Sequence, residues 1–244
     1  VVTGAATGIG AAIARGLASA GYRLTLMGRR REPLDTLAAT VPEAAAVSCD
    51  VTDETQVADA FAAAEARAPI DLLVNNAGVA LTAPVAKTTL DQFRAMLDVN
   101  LLGPFLCARA VLPGMRARNA GRIVTIASTA GLKGYAYTGA YCASKHGVIG
   151  LTRTLALELA QTRITANAVC PGFTDTELVE RSLETIMSKT GRTREAAVAE
   201  LVKHNPQGRL IAPEEVAATV LWLASDAARS VTGQAIAVAG GETM

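Results

Sequence analysis

Tyr141 and Lys145 flank Cys142-Ala143-Ser144, so a phenol and an ammonium stand one helical turn apart, and Ser128 lies thirteen residues before the tyrosine. A free phenol has a pKa of about 10, and acting near neutrality requires a downward shift of roughly three units, about 4 kcal/mol. On a helix, residues i and i+4 share one face with Cβ atoms about 5–6 Å apart, so Lys145 beneath Tyr141 favours the ionised phenol. Ser128 is then available to hydrogen-bond the reacting oxygen. The spacing by itself is ordinary helix-surface chemistry. Tyr135 and Tyr137 lack a lysine four residues ahead and read as pocket lining or packing.

Apolar runs of strand length alternate along the chain with alanine-rich, helix-periodic segments. This alternation predicts a single Rossmann-like, doubly wound α/β domain over residues 1–244, a seven-stranded parallel sheet with helices on both faces. Strands are expected near Val1–Thr3, Arg23–Gly28, Ala45–Cys49, Leu72–Asn75, Arg122–Ser128, Thr165–Cys170 and Ala235–Val238. Helices are expected at about Gly8–Ala20, Glu32–Ala39, Thr55–Ala68, Leu90–Arg118, Ala140–Ala160 and Pro213–Ala224. The segment from about 174 to 212 breaks the rhythm, with two short helical patterns around Lys189–Arg192. A long excursion at the carboxyl end of a strand reads as a lid over a site.

Composition narrows the function classes. With 244 residues the chain can bury a sizeable core without a second domain. Net charge is +1, with Lys and Arg scattered among Asp and Glu, which argues against a nucleic-acid surface. Charged residues interrupt the apolar stretches, so no membrane span is expected. Cys49, Cys107, Cys142 and Cys170 are dispersed, and His146 and His204 are the only imidazoles. That pattern fits no common zinc site, predicts no metal, and suggests reduced thiols in the cytoplasm. The opening Val1-Val2-Thr3-Gly4 shows no secretory pattern and starts inside an apolar run, so a few preceding strand residues are expected.

Thr3-Gly4-Ala5-Ala6-Thr7-Gly8-Ile9-Gly10 follows the first strand and opens the first helix. In that context glycines permit a tight turn and close backbone approach, and a helix amino terminus presents N–H groups to a pyrophosphate. The contacts expected there come from Gly4, Thr7, Gly8, Ile9 and Gly10. At the end of the second strand, where a carboxylate would accept from a ribose 2′-hydroxyl, the chain has Gly28-Arg29-Arg30-Arg31. This predicts NADP(H), with Arg29 as the phosphate partner.

The G-x-x-x-G-x-G spacing, taken with Tyr-x-x-x-Lys, resembles the short-chain dehydrogenase/reductase family over essentially the whole chain. The resemblance includes Asn75-Asn76-Ala77-Gly78, Asn100 in the fourth helix, Ser128 ending the fifth strand, and Pro171-Gly172 after the sixth. It implies that Tyr141 is the general acid/base, that Lys145 lowers its pKa and holds the nicotinamide ribose, that Ser128 orients the substrate oxygen, and that Asn100 supports a water relay. It further implies that Asn76, Ala77 and Gly78 line the adenosine side, that Asp50 and Val51 meet the adenine, and that Pro171, Gly172, Thr174 and Thr176 hold the carboxamide. The chain departs from the family pattern at Thr174, where a β-branched apolar residue is more frequent. It departs also at Thr7, where many NADP-using relatives carry a basic residue.

The function implied is hydride transfer between NADP(H) and a ketone or secondary alcohol. The overall pattern and the Gly240-Gly241 pair look most like reductases of 3-oxoacyl thioesters and dehydrogenases of small hydroxy acids. The alternatives are a small hydroxy acid or cyclic alcohol with NAD, and a dinucleotide-binding regulator without turnover. From Phe173 to Leu210 six basic residues balance six acidic ones, the pattern of a solvated face. Apolar residues on several faces of the helices after Leu90 and Ala140 agree with the family's habit of forming homodimers and homotetramers.

Overall fold

Seven strands, the inner ones buried on both faces, make up the centre of the molecule, described for all residues 1–244 by a computed structural model. They are β1 (Val2–Thr3), β2 (Leu24–Gly28), β3 (Ala44–Ser48), β4 (Leu72–Asn75), β5 (Gly121–Ile126), β6 (Ile164–Pro171) and β7 (Ala235–Val238). All pair in parallel in the order β3-β2-β1-β4-β5-β6-β7. Side chains alternate across the pleat. Leu26, Val74 and Val124 point into one core with Ile13 and Leu17, while Met27, Leu73 and Ile123 point into the other with Phe61 and Met115. Two buried faces explain why the strands read as continuous apolar runs.

The helices are α1 (Gly8–Ser19), α2 (Arg31–Thr40), α3 (Glu54–Arg67), α4 (Leu90–Leu97), α5 (Gly103–Arg118), α6 (Gly139–Glu158), α7 (Glu177–Thr190), α8 (Arg194–Val202) and α9 (Pro213–Ala224). The strand order reverses between β1 and β4, which opens a crevice at their carboxyl ends, the usual ligand position in such sheets. The expected two-part excursion is α7 and α8, separated at Gly191, whose φ of 67° ends α7 in the left-handed region. It has a small core of its own in Val179, Leu183 and Ala197.

Two expectations require correction. The helix expected over Leu90–Arg118 is interrupted by a π turn at Asp98–Leu102, where the Gly103 amide donates to the Asp98 carbonyl five residues back. Pro104 has no N–H to offer the Asn100 carbonyl four residues before it, so the α-helical ladder cannot run through this point. The strand expected to end at Ser128 stops at Ile126, and Ser128 instead caps a 3-10 turn over Thr129–Gly131. Leu90–Arg118 is the one helical stretch long and apolar enough to span a bilayer on length and composition. Here Leu106, Cys107, Val111 and Met115 are buried against the sheet.

The π turn aims Asn100 at the loop after β4. Its Nδ2 donates to the Val79 carbonyl (2.9 Å) and to Ser144 Oγ (3.0 Å), and its Oδ1 accepts from the Val79 amide (2.9 Å). Asn100→Ala strands both main-chain groups of Val79 and should cost about 1–3 kcal/mol. Asn100→Asp keeps the acceptor but faces a carboxylate toward the Val79 carbonyl, so it should not recover that loss. Urea unfolding midpoints at unchanged m-value read both effects.

Candidate active site

Thr3, at the end of β1, organises the crevice. Its Oγ1 accepts from the amides of Asn76 (3.0 Å) and Ala77 (3.1 Å) and donates to the Val74 carbonyl (3.4 Å). Asn76 returns the contact, its Nδ2 donating to the carbonyls of Thr3 (3.1 Å) and Gly4 (2.9 Å). The turn therefore lies hard against the segment after β4. A Cβ on Gly4, which has φ of 61°, would lie 2.7 Å from Ala77 Cα, and one on Gly10 would strike the Gly4 carbonyl. Only glycine fits at these two positions. Thr7 caps α1 without a side-chain hydrogen bond, which leaves the amides of the first turn without a side-chain partner. These glycines and uncapped amides fit a dinucleotide pyrophosphate.

Tyr141 and Lys145 lie on the same face of α6, with the ammonium 5.7 Å from the tyrosine ring centroid. The expected downward shift of the phenol is not found. Burial raises Tyr141 above 10, with the Ser128 hydroxyl pulling the other way. Lys145 Nζ donates to the Ile126 carbonyl at 2.9 Å, and burial lowers the amine itself to about 8. Ser128 Oγ accepts from the Ala130 amide at 3.1 Å, and its own proton is available on the Tyr141 side. Gly78 sits beside this group, where a Cβ would be 3.7 Å from Lys145 Nζ and 3.2 Å from Asn100 Oδ1.

Asn100 reaches the site by bracing it. Both amide protons of its side chain are committed, to Val79 and Ser144. Ser144 Oγ in turn donates to the Tyr141 carbonyl at 2.8 Å, which anchors the start of α6 to the π turn.

The remaining residues form two groups. Arg29 is exposed just beyond β2 and enters no ion pair, whereas Arg31 is bound to Asp35 at 2.8 Å. Asp50 Oδ1 accepts from the Thr52 amide (3.0 Å) and hydroxyl (2.8 Å), closing its own turn. Val51 is buried against Gly103, where a Cβ would be 2.8 Å from its Cγ2. On the other side Pro171 ends β6, and Thr174 Oγ1 donates to the Gly172 carbonyl at 3.0 Å. Thr176 begins α7 and leans over Gly8, 3.2 Å from where a Cβ would stand. The segment that leads into α7 is thus rooted against the glycine turn.

Sequence reasoning missed Thr3 and Ser144. The signal for Thr3 was a hydroxyl residue directly before the first glycine. For Ser144 it was a small polar residue one helical turn after Tyr141.

The family described as enoyl-(acyl carrier protein) reductase matches residues 4–243. The chain is 37% identical over 253 residues to a D-beta-hydroxybutyrate dehydrogenase of Rhizobium meliloti (strain 1021), covering 100% of this chain and 97% of that protein. It is 37% identical over 243 residues to an acetoacetyl-CoA reductase of Shinella zoogloeoides, covering 99% and 97% respectively. A crystal structure of a single-residue variant of actinorhodin polyketide ketoreductase with NADPH superposes with a TM-score of 0.94 at 39% identity, covering 99% of this chain and 95% of that one.

The depressed amine of Lys145 has a consequence for stability. Its ordinary value is 10.5 and its folded value about 8, so between those pH values the unfolded chain holds more protons and stability rises with pH. Relative to Lys145→Met, the ligand-free wild type should gain up to about 3 kcal/mol across that window. Urea unfolding of both proteins at matched pH measures it, and a constant difference contradicts it.

Proposed function

The chain belongs to the short-chain dehydrogenase/reductase family, and from that premise we propose that it reduces a ketone to a secondary alcohol with NADPH. The observation that carries this reading is the half-buried Tyr141 phenol, held protonated, paired with the Ser128 hydroxyl so that two donors stand side by side. Gly4, Gly8 and Gly10 with the first-turn amides of α1 would hold the pyrophosphate, Arg29 the 2′-phosphate, and Lys145 the ribose. Asn76, Ala77, Gly78, Asp50 and Val51 would border the adenosine half. Pro171, Gly172, Thr174 and Thr176 would face the carboxamide. When bound, the nicotinamide supplies a hydride to the carbonyl carbon.

As negative charge grows on the substrate oxygen, Ser128 donates a hydrogen bond to it and Tyr141 transfers its proton. Both donors interact more strongly with the developing alkoxide than with the ketone, so they lower the barrier. The raised pKa of Tyr141 suits this direction, because the acid is fully loaded at neutral pH. The ammonium of Lys145 stabilises the phenolate left behind, which solvent then reprotonates.

The substrate class we favour is 3-oxoacyl, in keeping with relatives named for β-hydroxybutyrate and acetoacetyl-CoA. The lid supports an uncharged acyl portion over an anionic carrier surface. Its Arg192, Arg194, Lys203 and Arg209 are paired to Glu200, Glu180, Glu200 and Glu215, which leaves Arg181 and Lys189 without an ion pair. We further propose that copies associate through the groove of about 330 Å³ lined by Leu97, Leu101, Leu102, Phe105 and Leu151. Phe105 and Leu102 stand exposed there. The assembly would be a homodimer or homotetramer, and a reducing cytoplasm suits the free thiols of Cys49, Cys107, Cys142 and Cys170.

Purified protein with NADPH and a panel of 3-oxoacyl thioesters should lose nicotinamide absorbance. Cofactor binding without turnover on any ketone would instead favour a regulatory dinucleotide-binding protein. Tyr141→Phe should lower kcat by about 10²–10⁴-fold with the Kd for NADPH little changed. Arg29→Ala should raise the Kd for NADPH about tenfold, through loss of one charge-assisted contact, and leave that for NADH unaltered. A preference for NADH that Arg29→Ala does not move contradicts the cofactor assignment.

A further inference from the structure

After β7 the chain runs Ala239-Gly240-Gly241-Glu242, with φ of 60° and 93° at the two glycines, a conformation that other residues resist. This turn is wedged against the exit of the lid. A Cβ on Gly240 would strike the Asn205 side chain, and one on Gly241 would be 3.2 Å from Pro206 Cγ. The reversal sends the Glu242 side chain, 3% exposed, back under Gly172, where a Cβ would lie 3.2 Å from its Oε2.

A carboxylate so buried requires partners. Tyr135 donates its phenol proton to Oε1 at 2.5 Å, and Lys133 Nζ lies 3.2 Å from the same oxygen. Lys133 also donates to the Glu242 main-chain carbonyl at 3.1 Å and sits 4.9 Å above the Tyr135 ring. The Tyr135 oxygen is 2.7 Å from Thr129 Oγ1, and Thr129 directly follows Ser128. Burial, followed by the bond to Glu242, keeps the Tyr135 phenol protonated well above its ordinary range. Phe173, in the segment after β6, meets the Tyr135 ring edge-on at 6.4 Å.

Hydrogen bonds thus connect the segment after β7 to the turn that carries Ser128. The established family match says nothing of this connection, and the mechanism above makes no use of it. We propose that Glu242 is a positioning residue for the reduction: acting through Tyr135 and Thr129, it fixes the Ser128 turn and the wall against which the ketone is seated. This rests on the reading of Tyr141 and Ser128 given above. Glu242 touches neither the reacting atoms nor the glycine turn and meets the proposed cofactor side only from beneath Gly172, so its influence falls first on substrate placement and only weakly on cofactor affinity.

The test is steady-state ketone reduction by the full chain, with NADPH affinity measured separately by fluorescence titration. Glu242→Ala should raise the KM for the ketone about tenfold, the size expected when a coupled buried contact is lost. The Kd for NADPH should stay within about twofold of wild type. Glu242→Gln keeps an acceptor for Tyr135 and should recover most of the loss. Tyr135→Phe should reproduce the KM effect, and the double variant Glu242→Ala/Tyr135→Phe should be no worse than Glu242→Ala alone, because both act through one contact.

Wild-type KM in Tyr135→Phe, or losses that simply add in the double variant, overturns the proposal. If Glu242→Ala fails to fold, the comparison of Tyr135→Phe with Glu242→Gln decides the matter alone. Absence of ketone turnover by the wild-type protein is a separate result, which removes the functional reading and this inference with it.

Discussion

The hydroxyl of Thr3 is the contact on which the crevice depends. It takes the amides of Asn76 and Ala77 at the point where the strand order reverses, and so binds the ends of β1 and β4 side by side. Asn76 closes the pair from the other direction by donating to Thr3 and Gly4. With the two strand ends so close, the turn that follows β1 has no room for side chains at Gly4 or Gly10. Glycine is required there by the approach of another piece of backbone as well as by any ligand. The amides opening α1 are left uncapped by the same geometry.

A second constraint is burial at the start of α6. The sheet places the Ile126 carbonyl, at the end of β5, where it accepts from Lys145, and desolvation brings the amine down to about 8 while it raises Tyr141. Proximity alone predicts a lowered phenol, but the phenol is poorly hydrated. Desolvation of the phenolate therefore outweighs the nearby cation. The π turn completes the support. It uses Asn100 to hold Val79 and Ser144, and Ser144 to hold the first turn of α6. Two other elements, the end of β5 and the π turn, thus brace the helix that carries the tyrosine, which serves the precision that proton transfer over hydrogen-bond distance demands.

Much of this was legible in the residues. Alternating strand and helix patterns specified a parallel sheet because each strand is apolar toward two faces, and Leu26 and Met27 do point to opposite cores. Glycine at 4, 8 and 10 and the spacing of Tyr141 to Lys145 are local properties of a turn and of a helix, so they needed no tertiary information. Pro104 also carried a local message, that the helix through Asn100 could not remain regular, although periodicity alone predicted an unbroken run. Ser128 was correctly tied to the end of β5 but lies beyond it, because its side chain caps the following turn.

What the sequence by itself determined, then, was the class of fold, the kinds of chemical group, and their neighbours within one turn or strand. Tertiary structure decided the electrostatics and the long-range partners. The direction of the Tyr141 shift depends on how much water the folded chain excludes, and the bond of Lys145 to Ile126 joins residues on different elements. The seating of Glu242 beneath Gly172 and against Tyr135 spans more than a hundred residues of chain, with a separation of 107 between Tyr135 and Glu242. Spacing along the chain carries no information about such contacts, because they arise only when separate strands deliver their ends to the same edge of the sheet.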